Sequence, residues 1–176
     1  LTRMSTKMRD EYRMAHQMAG VDGLLLVDCP PEEDGELGSA MRAAGLDGIR
    51  LVAPTTTPER VRRIAASASG FIYYVSLKGI TGAGLQGVEA LREPIAQNRA
   101  SSDLPVAVGF GIKTPAQAAE VAEVADAAVV GSAIVQTIAN NLDGDGRATP
   151  QLVDTVLAFT RTLADGVRGA QRKAAE

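Results

Sequence analysis

The sequence predicts an α/β fold of repeated strand–helix units around a parallel sheet. Five short runs rich in β-branched residues and leucine recur along the chain: 24–28 LLLVD, 49–53 IRLVA, 71–75 FIYYV, 105–109 PVAVG and 127–131 AAVVG. Most are almost continuously apolar rather than alternating, as strands covered on both faces are. Their starts lie 25, 22, 34 and 22 residues apart. Each interval leaves room for one helix and two short loops, the β-α unit of a parallel sheet with right-handed crossovers.

The intervening helices carry start signals of their own. Thr57-Pro58, Thr114-Pro115 and Thr149-Pro150 each place an N-cap threonine before a proline at the first helical position. Thr114 with Gln117 also fits a capping box. Val61, Ile64 and Ala65 follow the first cap, and Leu152, Val153, Val156 and Leu157 the third. Both sets recur at helical spacing and give one apolar face. Two stretches break the pattern. The interval after the third strand, SLKGITGAGLQGVEA, holds Gly79, Gly82, Gly84 and Gly87, a density that lets a loop move or approach a ligand closely. Residues 1–19 hold four of the five methionines. Met4/Met8 and Met14/Met18 are each four apart, which predicts a helical segment distinct in composition from the single domain of residues 20–176.

Composition bounds the function. With 176 residues, 45% apolar, and 18 Lys+Arg against 21 Asp+Glu, the chain is sized and charged like one ordinary soluble domain. The balance does not favour nucleic acid, and the six aromatics do not alternate with basic residues. No apolar run approaches the ~20 residues of a membrane span. No signal-peptide pattern opens the chain, so the cytoplasm is the default compartment. Cys29 and His16 are each the only residue of their kind. A disulfide framework and a cysteine-built metal site are thereby excluded, and no metal site is expected.

In parallel α/β sheets, functional groups collect beyond the carboxyl ends of the strands. Four ends stand out here: Asp28 after the first, Tyr73 and Ser76 around the third, Gly109-Phe110-Gly111 after the fourth, and Gly131-Ser132 after the fifth. Glycines at two neighbouring strand ends, with a short helix starting at Ser132, fit a phosphate cup on a β/α barrel. Neither a P-loop nor a dinucleotide fingerprint accompanies them, which favours a small phosphate ester over a nucleotide. Plain structural readings stand beside these: Gly131-Ser132 can be a strand stop with a helix cap, and Asp28 can cap the helix after Pro30-Pro31. Tyr73 and Tyr74 point to opposite faces of their strand.

As a set, the segments GVDGLLLVDCPPEE (20–33), VAPTTTPERVRRIA (52–65), SGFIYYVSLKGITGA (69–83), LPVAVGFGIKTPAQA (104–118) and VVGSAIV (129–135) resemble the tryptophan synthase alpha chain. The resemblance implies the (β/α)8 TIM-barrel family, here an incomplete barrel of five parallel strands with flanking helices, corresponding to strands four to eight. It implies a lyase of tryptophan biosynthesis that cleaves indole-3-glycerol phosphate to indole and glyceraldehyde-3-phosphate. The indole passes to a beta chain carrying pyridoxal phosphate, so no cofactor belongs to this chain. By the same resemblance, backbone N–H groups around Gly82, Gly111, Gly131 and Ser132 hold the phosphate. Tyr73 and Phe110, with Leu25 and Leu51, line the indole pocket, and Thr81 lies in the loop that closes over substrate. Asp28 supports neighbouring loops, and Pro30 lies near the beta-chain contact.

One departure shapes the expectation. The family's two catalytic carboxylates come from the second strand and the loop after it, which precede the first strand seen here. Asp10 and Glu11 lack the flanking motif and do not replace them, so no catalytic residue is assigned and the chain alone is expected to be inactive. The rival readings are a phosphate-binding or scaffold half-barrel, and another phosphate-ester barrel such as an isomerase of the same pathway. Five strands cannot close an eight-stranded barrel, so apolar surface along the first strand and a tendency to associate are expected.

Overall fold

The computed structural model describes residues 19–25, 27, 30–76, 85–109 and 111–170. Five strands, β1 (Gly23–Leu25), β2 (Asp47–Val52), β3 (Ile72–Val75), β4 (Val106–Gly109) and β5 (Ala127–Val129), form one sheet in chain order. Six helices follow or separate them: α1 (Gly35–Ala43), α2 (Pro58–Ala66), α3 (Leu85–Ser101), α4 (Pro115–Ala122), α5 (Ser132–Ala139) and α6 (Leu152–Gly169). All five expected strand runs are strands, although β1 and β5 are shorter than their apolar stretches. No described helix is long and apolar enough to cross a membrane. The chain divides into two compact units, Leu1–Tyr74 with Gln97–Val106, and Val75–Ala96 with Ala107–Glu176.

In the first unit, β1 pairs with β2, and β2 with β3, all parallel. The helix-facing side buries Val52, Ile72 and Tyr74 together with Met41 of α1 and Val61 and Ile64 of α2. α2 starts as its sequence predicts: the Thr57 side chain accepts a hydrogen bond from the Arg60 N–H, and Pro58 takes the first helical position. α1 starts differently. Asp34 occupies its N-cap but makes no cap bond; its carboxylate pairs with Arg50 of β2, both side chains 5% exposed. Gly38 leaves the space for this pair, because a Cβ there would overlap the Asp34 carboxylate. A cavity of about 300 Å³ lies beside Arg50, lined by Met41, Gly48 and Ser67 among others. Leu25 of β1 and Val27 beyond it are 38% and 69% exposed.

In the second unit, β4 pairs in parallel with β5. Val108 of β4 is fully buried, and α4 buries Ala118, Val121 and Ala122. The capping box at α4 is complete: the Thr114 side chain accepts from the Gln117 N–H, and the Gln117 side chain accepts from the Thr114 N–H. α6 packs against α4 at Gly166, where any Cβ would stand 2.5 Å from the Pro115 carbonyl oxygen. The expected cap at Thr149 is corrected by the structure, since α6 begins at Leu152 with Gln151 as its N-cap. The Thr149 N–H donates to the Asn141 carbonyl and the Leu152 N–H donates to the Thr149 carbonyl. Thr149 thus belongs to a turn, closed by an antiparallel bridge between Leu142 and Ala148.

Candidate active site

In the first unit, strand register decides which side chains share a face. Leu25 is the register partner of Ile49, and Leu51 that of Tyr73. Side chains two apart along a strand lie on one face, and directly paired residues share it. Leu25, Ile49, Leu51 and Tyr73 therefore line a single apolar face, opposite the one on which Arg50, Ile72 and Tyr74 meet the helices. Leu51 and Tyr73 are half-buried, so the face is accessible rather than sealed in a core. The structure thus brings together three residues expected around an aromatic ring. Ile49 was not singled out from the sequence; the two-residue period of IRLVA places it beside Leu51.

In the second unit, Gly109 of β4 is the register partner of Val129 of β5. Gly111 follows the first by two residues and Gly131 the second by two, so both leave the sheet at the same level of its carboxyl end. Gly111 has φ +81°, a left-handed backbone that a residue with a Cβ adopts only under strain. Gly131 is the N-cap of α5, exposed, with no atom within 4 Å of the position its Cβ would take. The Gly131 carbonyl accepts from the Ile134 and Val135 N–H groups, which starts the helix and aims its first N–H groups outward. No side chain caps this end, unlike α2 and α4, whose threonines occupy theirs. The first-turn N–H groups at Ser132 and Ala133 have no acceptor within the helix, and the dipole adds partial positive charge there.

Pro30 sits at the start of a short 3-10 turn, Pro31–Glu33, as its N-cap residue with no side-chain cap bond. The Glu33 N–H donates to its carbonyl at 3.0 Å. Asp28, Thr81, Gly82 and Phe110 lie outside the described residues. The sequence reading also missed the Asp34–Arg50 ion pair, whose one visible signal is an arginine inside an apolar run.

A family model described as tryptophan synthase alpha chain matches residues 4–167. The chain belongs to the tryptophan synthase alpha chain family. It is 51% identical over 156 residues to the tryptophan synthase alpha chain of Acidiphilium cryptum (strain JF-5), covering 89% of this chain and 56% of the relative. Among solved structures it resembles tryptophan synthase subunit alpha from Legionella pneumophila str. Paris, with TM-score 0.76 and 35% identity over 91% of this chain and 57% of that one. It also resembles tryptophan synthase from M. tuberculosis in an open form with BRD0059 bound, with TM-score 0.73 and 34% identity over 90% and 55%. The chain therefore spans a little over half the length of these tryptophan synthase relatives. The five parallel strands with flanking helices agree with the TIM-barrel family expected from the sequence.

Proposed function

We propose that this chain supplies the phosphate- and indole-binding elements of a lyase in tryptophan biosynthesis that cleaves indole-3-glycerol phosphate to indole and glyceraldehyde-3-phosphate. The observation that carries the reading is the pairing of Gly111 with the uncapped start of α5 at one level of neighbouring strand ends. A phosphate there receives N–H donors from the first turn of α5 and meets no side chain at Gly131. Membership of the tryptophan synthase alpha chain family supports the same assignment. The face formed by Leu25, Ile49, Leu51 and Tyr73 offers apolar contact to an indole ring, and family resemblance alone assigns Phe110 to the same role. Thr81 and Gly82 belong to the loop that covers the substrate, and Gly82 adds to the phosphate donors.

Cleavage needs a group to protonate the indole ring carbon, and a carboxylate to hold the indole N–H as the glycerol side chain leaves. Neither belongs to the apolar face or to the Gly111/Gly131 strand ends. The 176-residue chain therefore binds without cleaving. Asp28 and Pro30 serve the loop scaffold and the contact with a beta chain, which would receive the indole and carries the pyridoxal phosphate. The site works in the cytoplasm on a soluble metabolite. The test is a titration followed by NMR, with glycerol 3-phosphate and indole used separately. Perturbation around Gly111, Gly131 and Ser132 by the first ligand and around Leu51 and Tyr73 by the second is expected. Binding of neither would leave a scaffold role, and binding of the phosphate alone would favour the isomerase-like rival.

A further inference from the structure

Along β2, burial deepens away from the strand's carboxyl end. Leu51 is half-buried, whereas Ile49, two residues earlier on the same face, is 9% exposed. Two residues span about 6.6 Å of strand, so Ile49 lies one layer of side chains below Leu51 and Tyr73. β2 is paired on both sides, with β1 and with β3. The step in burial therefore belongs to the interior of the sheet and not to an edge.

The strand beside Ile49 explains how it closes that layer. Gly23 pairs with Asp47, and Leu25 with Ile49; Gly23, two residues before Leu25, shares its face. A Cβ at Gly23 would stand 3.0 Å from Ile49 Cδ1, inside the about 3.5–4.0 Å at which carbons pack. Ile49 Cδ1 therefore fills the space that the glycine leaves, reaching diagonally toward the amino end of β1. Valine in place of Ile49 would lack that one atom.

We propose that Ile49, seated over Gly23, is the floor of the apolar face and a specificity-determining residue, which rejects a ring bearing a substituent on its far edge. The inference rests on the reading of Leu51 and Tyr73 as walls of an indole site. The side chain lost in cleavage is attached at indole carbon 3, and polar chemistry on a parallel sheet collects beyond the strand carboxyl ends. Carbon 3 thus points toward the loops, and the opposite edge, with carbon 5, points toward Ile49. A methyl on carbon 5 meets Ile49 Cδ1, whereas a methyl on carbon 2, next to carbon 3, stays clear of it. One methyl group in an apolar pocket is worth about tenfold in discrimination. Removing Cδ1 opens a pit over Gly23 in which the 5-methyl group is buried instead of clashing.

The test titrates indole, 5-methylindole and 2-methylindole separately into the 176-residue chain and its Ile49→Val variant, followed by NMR. The parent should bind indole about tenfold more tightly than 5-methylindole, and Ile49→Val should bring the two within about twofold. The ratio of 2-methylindole to indole should be the same in both chains. A purely structural role for Ile49 would weaken all three ligands together and leave both ratios where they were. Gly23→Ala/Ile49→Val returns a methyl to the pit from the other strand and should restore the preference for indole. Circular dichroism checks that each variant is folded. A 5-methylindole ratio unmoved by Ile49→Val, with indole still bound, overturns the assignment of Ile49 and leaves the proposed function standing. Equal shifts for 5-methylindole and 2-methylindole overturn it as well. Absence of indole binding by the parent chain overturns both the proposed function and this inference.

Discussion

Replacing Gly166 by alanine sets two effects of known sign against each other. Glycine inside a helix costs about 1 kcal/mol relative to alanine, so propensity alone predicts that Gly166→Ala stabilises α6. The packing predicts the opposite. The new Cβ would stand 2.5 Å from the Pro115 carbonyl oxygen, 3.1 Å from its carbon and 3.4 Å from its Cα. All three are backbone atoms at the start of α4, and none can rotate away. Forcing one carbon into a packed helix contact costs typically 1–3 kcal/mol. Subtracting the propensity gain leaves a net loss of up to about 2 kcal/mol.

The displaced group matters for binding as well. Pro115 follows the Thr114 cap directly, and the segment before that cap leads back to Gly111. Moving α4 away from α6 should therefore loosen the proposed phosphate site in addition to lowering stability. Urea unfolding followed by circular dichroism measures the first effect, and titration with glycerol 3-phosphate the second. A lower urea midpoint with weaker phosphate binding is expected. A higher midpoint would refute the reasoning, because it would mean that α4 and α6 do not approach as closely as Gly166 permits.

Three further outcomes follow from the same packing. Asp34→Ala leaves the Arg50 guanidinium buried without its carboxylate and should cost about 3–5 kcal/mol in urea unfolding. Gly48→Ala adds a methyl whose nearest neighbours, Met41 Cε and the Ser67 carbonyl oxygen, lie 3.8 Å away; with less chain entropy to lose, it should stabilise by about 0.4–1 kcal/mol in the same assay. Burial pushes the Tyr74 phenol above its usual pKa. The folded state thus prefers the neutral form, and this contribution is complete below pH ~10 and lost as pH rises through the folded value. Stability measured across that alkaline range should fall in the parent chain and fall less in Tyr74→Phe.

Much of the fold is legible because its signals are local. Continuous apolar runs mark the parallel strands, and Thr57-Pro58 and Thr114-Pro115 start helices where sequence places them. Thr149-Pro150 carries the same signal and fails, because the Asn141 carbonyl takes the Thr149 N–H and holds the threonine in a turn. A two-residue motif cannot report that long-range competition. The Asp34–Arg50 pair is hidden for a related reason: sixteen residues separate the partners, and only the fold brings Arg50 of β2 against Asp34. At the site, glycines at successive strand ends were readable, whereas their common level depends on the Gly109–Val129 register. The shared face of Leu25, Leu51 and Tyr73 likewise follows from pairing, whereas the two-residue period of IRLVA is enough to place Ile49 beside Leu51.

The central proposal is that this chain binds indole-3-glycerol phosphate through strand-end backbone groups and does not cleave it alone. Both halves are tested by incubating the purified 176-residue chain with that substrate, measuring binding calorimetrically and indole release by fluorescence. The parent should bind without releasing indole. Gly131→Ala should keep its stability, since its Cβ enters open space, yet bind about tenfold more weakly, because the methyl keeps the phosphate from closing on the first-turn N–H groups of α5. Indole release by the parent chain, or substrate binding indifferent to Gly131→Ala, would contradict the account.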